Sequence, residues 1–337
     1  MMKRYKIVSG AGVPDALQVE TFEEPILGAG QVRIAVRACS LNYRDLMVAG
    51  GGYPRNDQCP VVPLSDGAGE IVQLGDQVDG WKRGDRVMVN FLRDWPAGPV
   101  TEAALRSGLG GGVDGMLSQS VIAPVHSLVP IPDHLSFQEA STLPCAAVTA
   151  YNALTAAGTT AGDTVLMLGT GGVSIFALQL CRAMGARTII TSSSDEKLAR
   201  ANQLGADSSV NYKTHPDWHQ QVLEWTGGVG VDHVIETGGT GTLGRSMQAT
   251  RVGGTISLIG VLQQGEPNLT GAIMNAQTVR GIYVGSTEMF NKMNRLITHH
   301  KLRPVIDKVF PFDQTDQAYG YLQSQQHLGK VVIDLTT

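Results

Sequence analysis

The sequence predicts an α/β chain of two domains, a parallel sheet covered on both faces by helices and set into an irregular, mostly antiparallel β-rich domain. Three observations carry this reading. Up to about residue 125, short Val- and Ile-rich runs are cut by Gly, Pro and Asp turns. From about residue 130, apolar strands alternate with helices. After residue 286 a helix and a closing strand form a tail too short to fold alone, so it is expected to return to the first domain.

In order, Gln31 to Ala38 and Arg86 to Asn90 read as strands of the β-rich part. Residues 92–116 are rich in Gly, Pro and Ala, with one helical piece at Thr101 to Arg106; a stretch this long with so little structure is usually functional or mobile. Ser136 followed by Glu139 is a capping box that opens an Ala-rich helix running through Leu154. Strands follow at Thr164 to Leu168, Arg187 to Thr191, Ser209 to Asn211, His233 to Glu236, Thr255 to Ile259 and Val279 to Val284. A helix from Val173 to Met184 separates the first two, and apolar runs flanking crossover helices require a sheet buried on both faces. Glu288 to Lys301 is a helix and Lys330 to Leu335 the closing strand.

Composition bounds the function. The 337 residues are 42% apolar and 17% charged, enough for a large core, and no stretch is long and apolar enough to cross a membrane. The net charge of -4, without any block of Lys or Arg, argues against nucleic-acid and anionic-membrane partners and leaves small molecules. Cys39, Cys59, Cys145 and Cys181 lie far apart without CxxC pairing, so neither a disulfide scaffold nor a zinc knuckle is expected. MMKRYKIVSG reads as a short strand rather than a signal peptide, and a cytoplasmic protein is expected.

The segment LMLGTGGVSIFALQLCRAMG runs strand, turn, helix. Gly169, Thr170, Gly171, Gly172 and Val173 form the turn, and Ser174 stands where GxGxxG places its third glycine. A pyrophosphate needs this backbone without Cβ to approach the free N–H groups of the helix. About 20 residues on, where an NAD site carries an acid for the ribose hydroxyls, stands Ser192. Ser192 and Ser193 offer hydroxyls, Lys197 a charge, and Tyr212 follows the next strand, so NADPH is the expected cofactor, with NADH possible. Ser193 and Glu196 also read simply as a capping box. Gly260 and Val261, after Thr255 to Ile259, complete the cofactor set.

With LGTGGVSIFALQ, SSSDEKLARANQLGAD, SLNYRDLMVAGGGYP, PLSDGAGEIV and GDRV in order and HLGKVVI at the end, the chain resembles the medium-chain dehydrogenases/reductases, most closely their zinc-lacking, quinone-oxidoreductase-like branch. The resemblance implies a GroES-like catalytic domain over residues 1–128 and 287–337. A doubly wound Rossmann domain over 129–286 is implied between them, with the active site in the cleft. Zinc-dependent members hold the metal with Cys, His and Cys. By this resemblance the first place is Asn42, the second Ser65, and only Cys145 keeps its type; one thiolate cannot make a tetrahedral site, so no metal is expected. Asp66 stands in place of the usual Glu.

Tyr53 matches the tyrosine that zinc-lacking relatives place near the nicotinamide, and a phenol can donate a proton as hydride arrives. Asn42 is placed to hydrogen-bond a substrate oxygen, and Arg44 and Asp45 to orient it or to pair with each other. Tyr53 beside Pro54 also reads as turn packing, and Asp45 as a helix cap. Cys145 reads as a small core residue, and His126, His134, His299 and His300 as surface or satisfied positions. The expected activity is zinc-free hydride transfer from NADPH to a quinone, enone or other carbonyl compound. A zinc-free alcohol dehydrogenase or enoyl reductase, and a cofactor-binding redox sensor with little turnover, remain open. Thr278 to Ser286, with alternating Val279, Ile282 and Val284, is expected to be an exposed apolar edge strand and to pair with its own copy in a homodimer.

Overall fold

The computed structural model describes residues 1–54 and 60–336, so Cys59 lies outside the described residues. The chain runs β1 Met2–Ile7, β2 Leu17–Phe22, β3 Gln31–Leu41, α1 Tyr43–Ala49, β4 Asp66–Leu74, β5 Arg86–Val89, α2 Glu102–Arg106, β6 Ser120–Pro124, β7 Leu128–Pro130, α3 Phe137–Ser141 and α4 Val148–Ala156. It continues through β8 Thr164–Met167, α5 Gly172–Met184, β9 Arg187–Ser192, α6 Asp195–Gln203, β10 Ser208–Asn211, α7 Trp218–Trp225, β11 Val231–Glu236, α8 Thr240–Ala249, β12 Thr250–Leu258, α9 Thr270–Met274 and β13 Thr278–Gly281. It closes with α10 Thr287–His300, β14 Ile306–Pro311, α11 Thr315–Gln323 and β15 Lys330–Asp334.

Two compact units result. The first comprises Met1–Val148 and Val284–Thr337, the second Thr149–Tyr283. The first is GroES-like. Its main sheet has the order β14-β15-β3-β4-β5-β7 with β6 also on β3, beside the hairpin β1-β2. Ile34 and Val36 of β3, Ile71, Val87 and Val331 fill its core with Phe310 and Tyr319. The expected first boundary, after residue 128, lies upstream of this one because α3 packs on β3, β4 and β15. Ser40 Oγ ties that helix down by donating to Ser141 O at 3.0 Å.

The second unit is a six-stranded sheet of order β10-β9-β8-β11-β12-β13. Every pairing in it is parallel. This is the doubly wound Rossmann order, and it reverses between β8 and β11, where such sheets open a crevice at their carboxyl ends. Leu166, Ile189, Val210, Val234 and Ile256 form its core with Trp218, Val222, Leu243 and Met247.

Three expectations are corrected. The capping box exists, with Ser136 Oγ accepting from Glu139 N at 3.1 Å and Ser136 N donating to Glu139 Oε2 at 2.8 Å. The helix it opens stops at Ser141, however, and passes through a π-helical segment, Leu143–Ala147, before α4, because Pro144 has no N–H to give. The edge strand is shorter than expected: β13 ends at Gly281, Ile282 and Val284 are buried, and Val284 leaves extended geometry with φ 51°. The tail also carries β14 and α11, and β15 pairs with β3 inside the first sheet.

Candidate active site

In the second unit β8 runs into Gly169, whose φ of 74° is left-handed and suits glycine, and Gly171 caps α5. A Cβ on Gly169 or Gly171 would meet nothing within 4 Å. The open space beside these backbones is room for a ligand rather than a packing contact, and it fits a dinucleotide at a helix N-terminus. Ser174 is buried and donates to Leu168 O at 2.7 Å, so the small residue at the third glycine place ties helix to strand.

The end of β9 is brought to the same turn. Gly169 N donates to Thr191 Oγ1 at 3.0 Å, and Thr170 Oγ1 lies 3.3 Å from Ser192 Oγ. Ser192 is buried while Ser193 and Lys197 are half-buried and Tyr212 is exposed. The cap of α6 is Ser194, which accepts from Lys197 N, so Ser193 and Glu196 do not form the capping box that was the alternative reading. Asp195 is engaged by Asn211 Nδ2 at 2.7 Å, which ties its carboxylate to the β10 side.

Gly260 and Val261 lie in the loop after β12. At Gly260 a Cβ would stand 1.7 Å from Thr237 O, so no other residue fits there without moving the loop. The organiser of this region is Glu236, a residue that sequence reasoning placed only at a strand end. It is fully buried, its Oε1 accepts from Gly238 N at 2.7 Å, Gly239 N at 3.1 Å and Thr242 Oγ1 at 2.7 Å, and its Oε2 accepts from Ser246 Oγ at 2.5 Å. Its carbonyl accepts from Ile259 N and Gly260 N. One residue thus fixes both loops that leave β11 and β12 at the carboxyl end of the sheet.

The first unit gathers polar groups where β3 meets α1. Asn42 N donates to Asp45 Oδ2 at 2.7 Å, so Asp45 does cap α1. Arg44 Nη1 lies 3.3 Å from Asp45 Oδ1 and donates to Leu109 O at 2.9 Å. Its guanidinium stacks 4.4 Å from the Tyr53 ring centroid and 5.0 Å from that of Phe91. Arg44, Asp45 and Tyr53 therefore form one packed assembly. Beside it, Ser65 Oγ donates to Asp66 Oδ1 at 2.8 Å, and Ser40 Oγ, whose single proton is shared with Ser141 O, lies 3.2 Å from Asp66 Oδ2. Lys330 Nζ bonds Leu41 O at 2.7 Å, Asn42 Oδ1 at 2.6 Å and Asp66 Oδ2 at 3.3 Å. Both ends of this ion pair are buried. Sequence reasoning missed Lys330, which it saw only as the start of a strand.

Cys145 is half-buried, and burial, with Asp66 nearby, pushes its thiol well above the ordinary range, which does not suit a nucleophile. His126 Nε2 lies 3.2 Å from Asp94, His134 Nε2 2.9 Å from Leu302 O, and His299 and His300 are exposed.

Burial pushes Asp45 up to about 6, against the opposing pull of Arg44. The folded chain then holds a proton on Asp45 that the unfolded chain, titrating near 3.8, has lost. The stability it contributes is full below that pH and is lost as pH rises through 6. Relative to the native protein, Asp45→Asn should gain stability in urea unfolding between pH 4 and 6, and the difference between the two should be constant above 7. Parallel curves for the two proteins would contradict this.

Residues 28–133 match the family described as alcohol dehydrogenase GroES-like domain, and residues 172–299 that described as zinc-binding dehydrogenase. A zinc-type alcohol dehydrogenase-like protein of Schizosaccharomyces pombe is 47% identical over 99% of this chain and 100% of its own length. The chain belongs to the medium-chain dehydrogenase/reductase superfamily. Among solved structures, an NAD-dependent alcohol dehydrogenase matches with a TM-score of 0.90 and 30% identity, covering 99% of this chain and 100% of its own. A quinone oxidoreductase from Coxiella burnetii matches with a TM-score of 0.81 and 25% identity, covering 99% of each chain. Medium-chain dehydrogenases/reductases are nicotinamide-dinucleotide oxidoreductases, and this chain is an oxidoreductase of that family.

The zinc in those descriptions does not fit the donors present here. Asn42 and Ser65 supply no thiolate or imidazole, and Asn42 Oδ1 is already held by an ammonium. Among the described residues, no group of three or more His, Cys, Asp or Glu is placed to hold a metal. Likewise no helix among them is long and apolar enough to cross a membrane.

Proposed function

We propose that the protein is an NADPH-dependent oxidoreductase that reduces a quinone, enone or other carbonyl compound without zinc. The observation that carries the proposal is the Lys330 ammonium bound to Asn42 and Asp66 where the resemblance would place a metal. When bound, the dinucleotide supplies the hydride. Gly169 to Val173 would receive its pyrophosphate at the start of α5, and Ser192, Ser193, Lys197 and Tyr212 would hold the ribose and its 2′-phosphate. Asn42 donates from its amide to the substrate oxygen, and the Tyr53 hydroxyl supplies the proton that balances the hydride. Arg44 and Asp45 hold this group in place through the stacked ring and the helix cap.

Purified protein in a chelator should oxidise NADPH with 1,4-benzoquinone or cyclohex-2-enone. Turnover only after zinc is added, or only of alcohols with NAD⁺, would favour the alcohol dehydrogenase reading. Stoichiometric NADPH binding without turnover would favour the sensor. Lys197→Ala should weaken NADPH by about 1 to 2 kcal/mol and leave NADH nearly unchanged, the value of one partly exposed charge-assisted contact to a 2′-phosphate. Titration of both cofactors checks this, and equal losses would remove the NADPH preference. We expect a cytoplasmic protein.

A homodimer is part of the same proposal. Among the described residues β13 pairs with β12 alone, and its four residues are exposed. Beside it Leu269, Ile273 and Met274 of the α9 region are exposed too, which extends the apolar edge in place of the buried Ile282 and Val284. Ile273→Asp should convert a dimer to a monomer in light scattering. A native monomer at micromolar concentration would end this part of the proposal.

A further inference from the structure

Lys330 is the first residue of β15, and at 2% exposure it is an unusual place for a lysine. The register that pairs Val331 with Leu41 brings its side chain to the end of β3. Its three N–H donors meet three acceptors, Leu41 O, Asn42 Oδ1 and the Asp66 carboxylate. The carboxylate is itself held by the hydroxyl of Ser65, with Ser40 Oγ sharing its proton between Asp66 and Ser141 O. This arrangement decides something that an asparagine leaves open. An amide can turn over and exchange its oxygen for its nitrogen, but an ammonium can only donate, so the atom it holds at 2.6 Å must be oxygen. The NH₂ group is therefore turned the other way, and Asn42 Nδ2 is buried with no hydrogen-bond partner among the described residues.

A buried NH₂ without an acceptor is costly, and a native structure that keeps one has a use for it. A carbonyl or quinone oxygen is an acceptor of the right kind. The same ammonium, by drawing charge from the amide oxygen, makes the NH₂ a stronger donor. We infer that Lys330 is a positioning residue that locks the Asn42 amide with its NH₂ presented to the substrate oxygen, a cation acting through an amide where zinc-dependent relatives use a metal. The inference rests on the proposed reading that Asn42 meets that oxygen.

The test removes both buried charges together, in Lys330→Met/Asp66→Asn, so that neither is left unpaired. Protein labelled with [¹⁵N]asparagine reports the amide directly, its side-chain signals being those missing from Asn42→Ala. In the double variant these signals should shift and exchange with solvent at least tenfold faster. With NADPH and cyclohex-2-enone, kcat should fall about tenfold, while KM and the NADPH Kd stay within twofold. Adding Asn42→Ala to the double variant should cost nothing further. Lys330→Arg, which keeps a cation, should restore the signals and most of kcat, and serves if the double variant does not fold.

Unchanged amide signals would overturn the inference. So would losses that multiply with Asn42→Ala, or a loss confined to the NADPH Kd, which would assign Lys330 to the dinucleotide. If the native protein turns over neither cyclohex-2-enone nor 1,4-benzoquinone, the proposed function fails, and the amide signals alone decide whether Lys330 holds Asn42.

Discussion

Replacing Glu236 with alanine should destabilise the protein by about 3 to 5 kcal/mol, at the upper end of what single substitutions do. The carboxylate accepts from two backbone amides and two hydroxyls, all within the first two turns of α8 or just before it, and of these donors Gly239 N and Ser246 Oγ belong to buried residues that have no water to turn to when it is gone. The effect should reach the cofactor as well. The loops 237–240 and 259–263 are tied to each other through Gly238 O with Gln263 N and to Glu236 through both its carboxylate and its carbonyl. Urea unfolding followed by the fluorescence of Trp218 and Trp225, with NADPH titration beside it, reads both effects. Glu236→Gln keeps the Oε1 contacts and should lose less than half as much. A loss under 1 kcal/mol for the alanine variant would show that the loops hold without it.

The second large effect is acid instability from His233. The ring is buried between Thr159 Oγ1, 3.1 Å from Nδ1, and Ser257 Oγ, 2.8 Å from Nε2, and burial pushes it down to about 4. An unfolded histidine takes its proton near 6.5, so between pH 6.5 and 4 the unfolded chain binds more protons than the folded one. Stability present above pH 6.5 is then lost as pH falls, by roughly 3 kcal/mol at pH 4. His233→Gln offers both a donor and an acceptor but takes no proton. Its stability relative to the native protein should rise by that amount from pH 7 to pH 4. Curves that fall in parallel would assign the acid loss to other groups.

The parts of this fold that were legible were those whose signal is local. Buried apolar runs such as Thr164–Met167 and Val231–Glu236 announce strands of a covered sheet, and Gly169 to Ser174 announces the turn between strand and helix. β14 and α11 were not legible, because Pro304 and Pro311 punctuate the strand and the helix is dominated by polar residues and glycine. Pro144 was in plain view, but the Ala-rich run around it outweighed it. In the candidate site, Asn42, Arg44, Asp45 and Tyr53 could be named as candidates because one short stretch of chain carries them together with the resemblance. Lys330 was not, because its partner Asp66 is 264 residues away and no pattern along the chain connects a lysine to a carboxylate at that distance. Glu236 escaped for a related reason: its importance lies in the amides and hydroxyls that turn toward it, and backbone donors leave no mark in a sequence.

The place of β15 has a consequence for how the protein is made. β15, which follows the whole of the second unit along the chain, is an interior strand of the first unit's sheet, lying between β14 and β3. Until Lys330–Asp334 has left the ribosome, β3 waits with half of one edge unpaired and α1 without the lysine beside its N-terminus, while Thr149–Tyr283 is contiguous and can fold as soon as it emerges. The order of completion is thus the reverse of the order of translation. A nascent or C-terminally trimmed chain would carry a finished Rossmann unit and an open sheet, and it is that open sheet which a chaperone would have to guard.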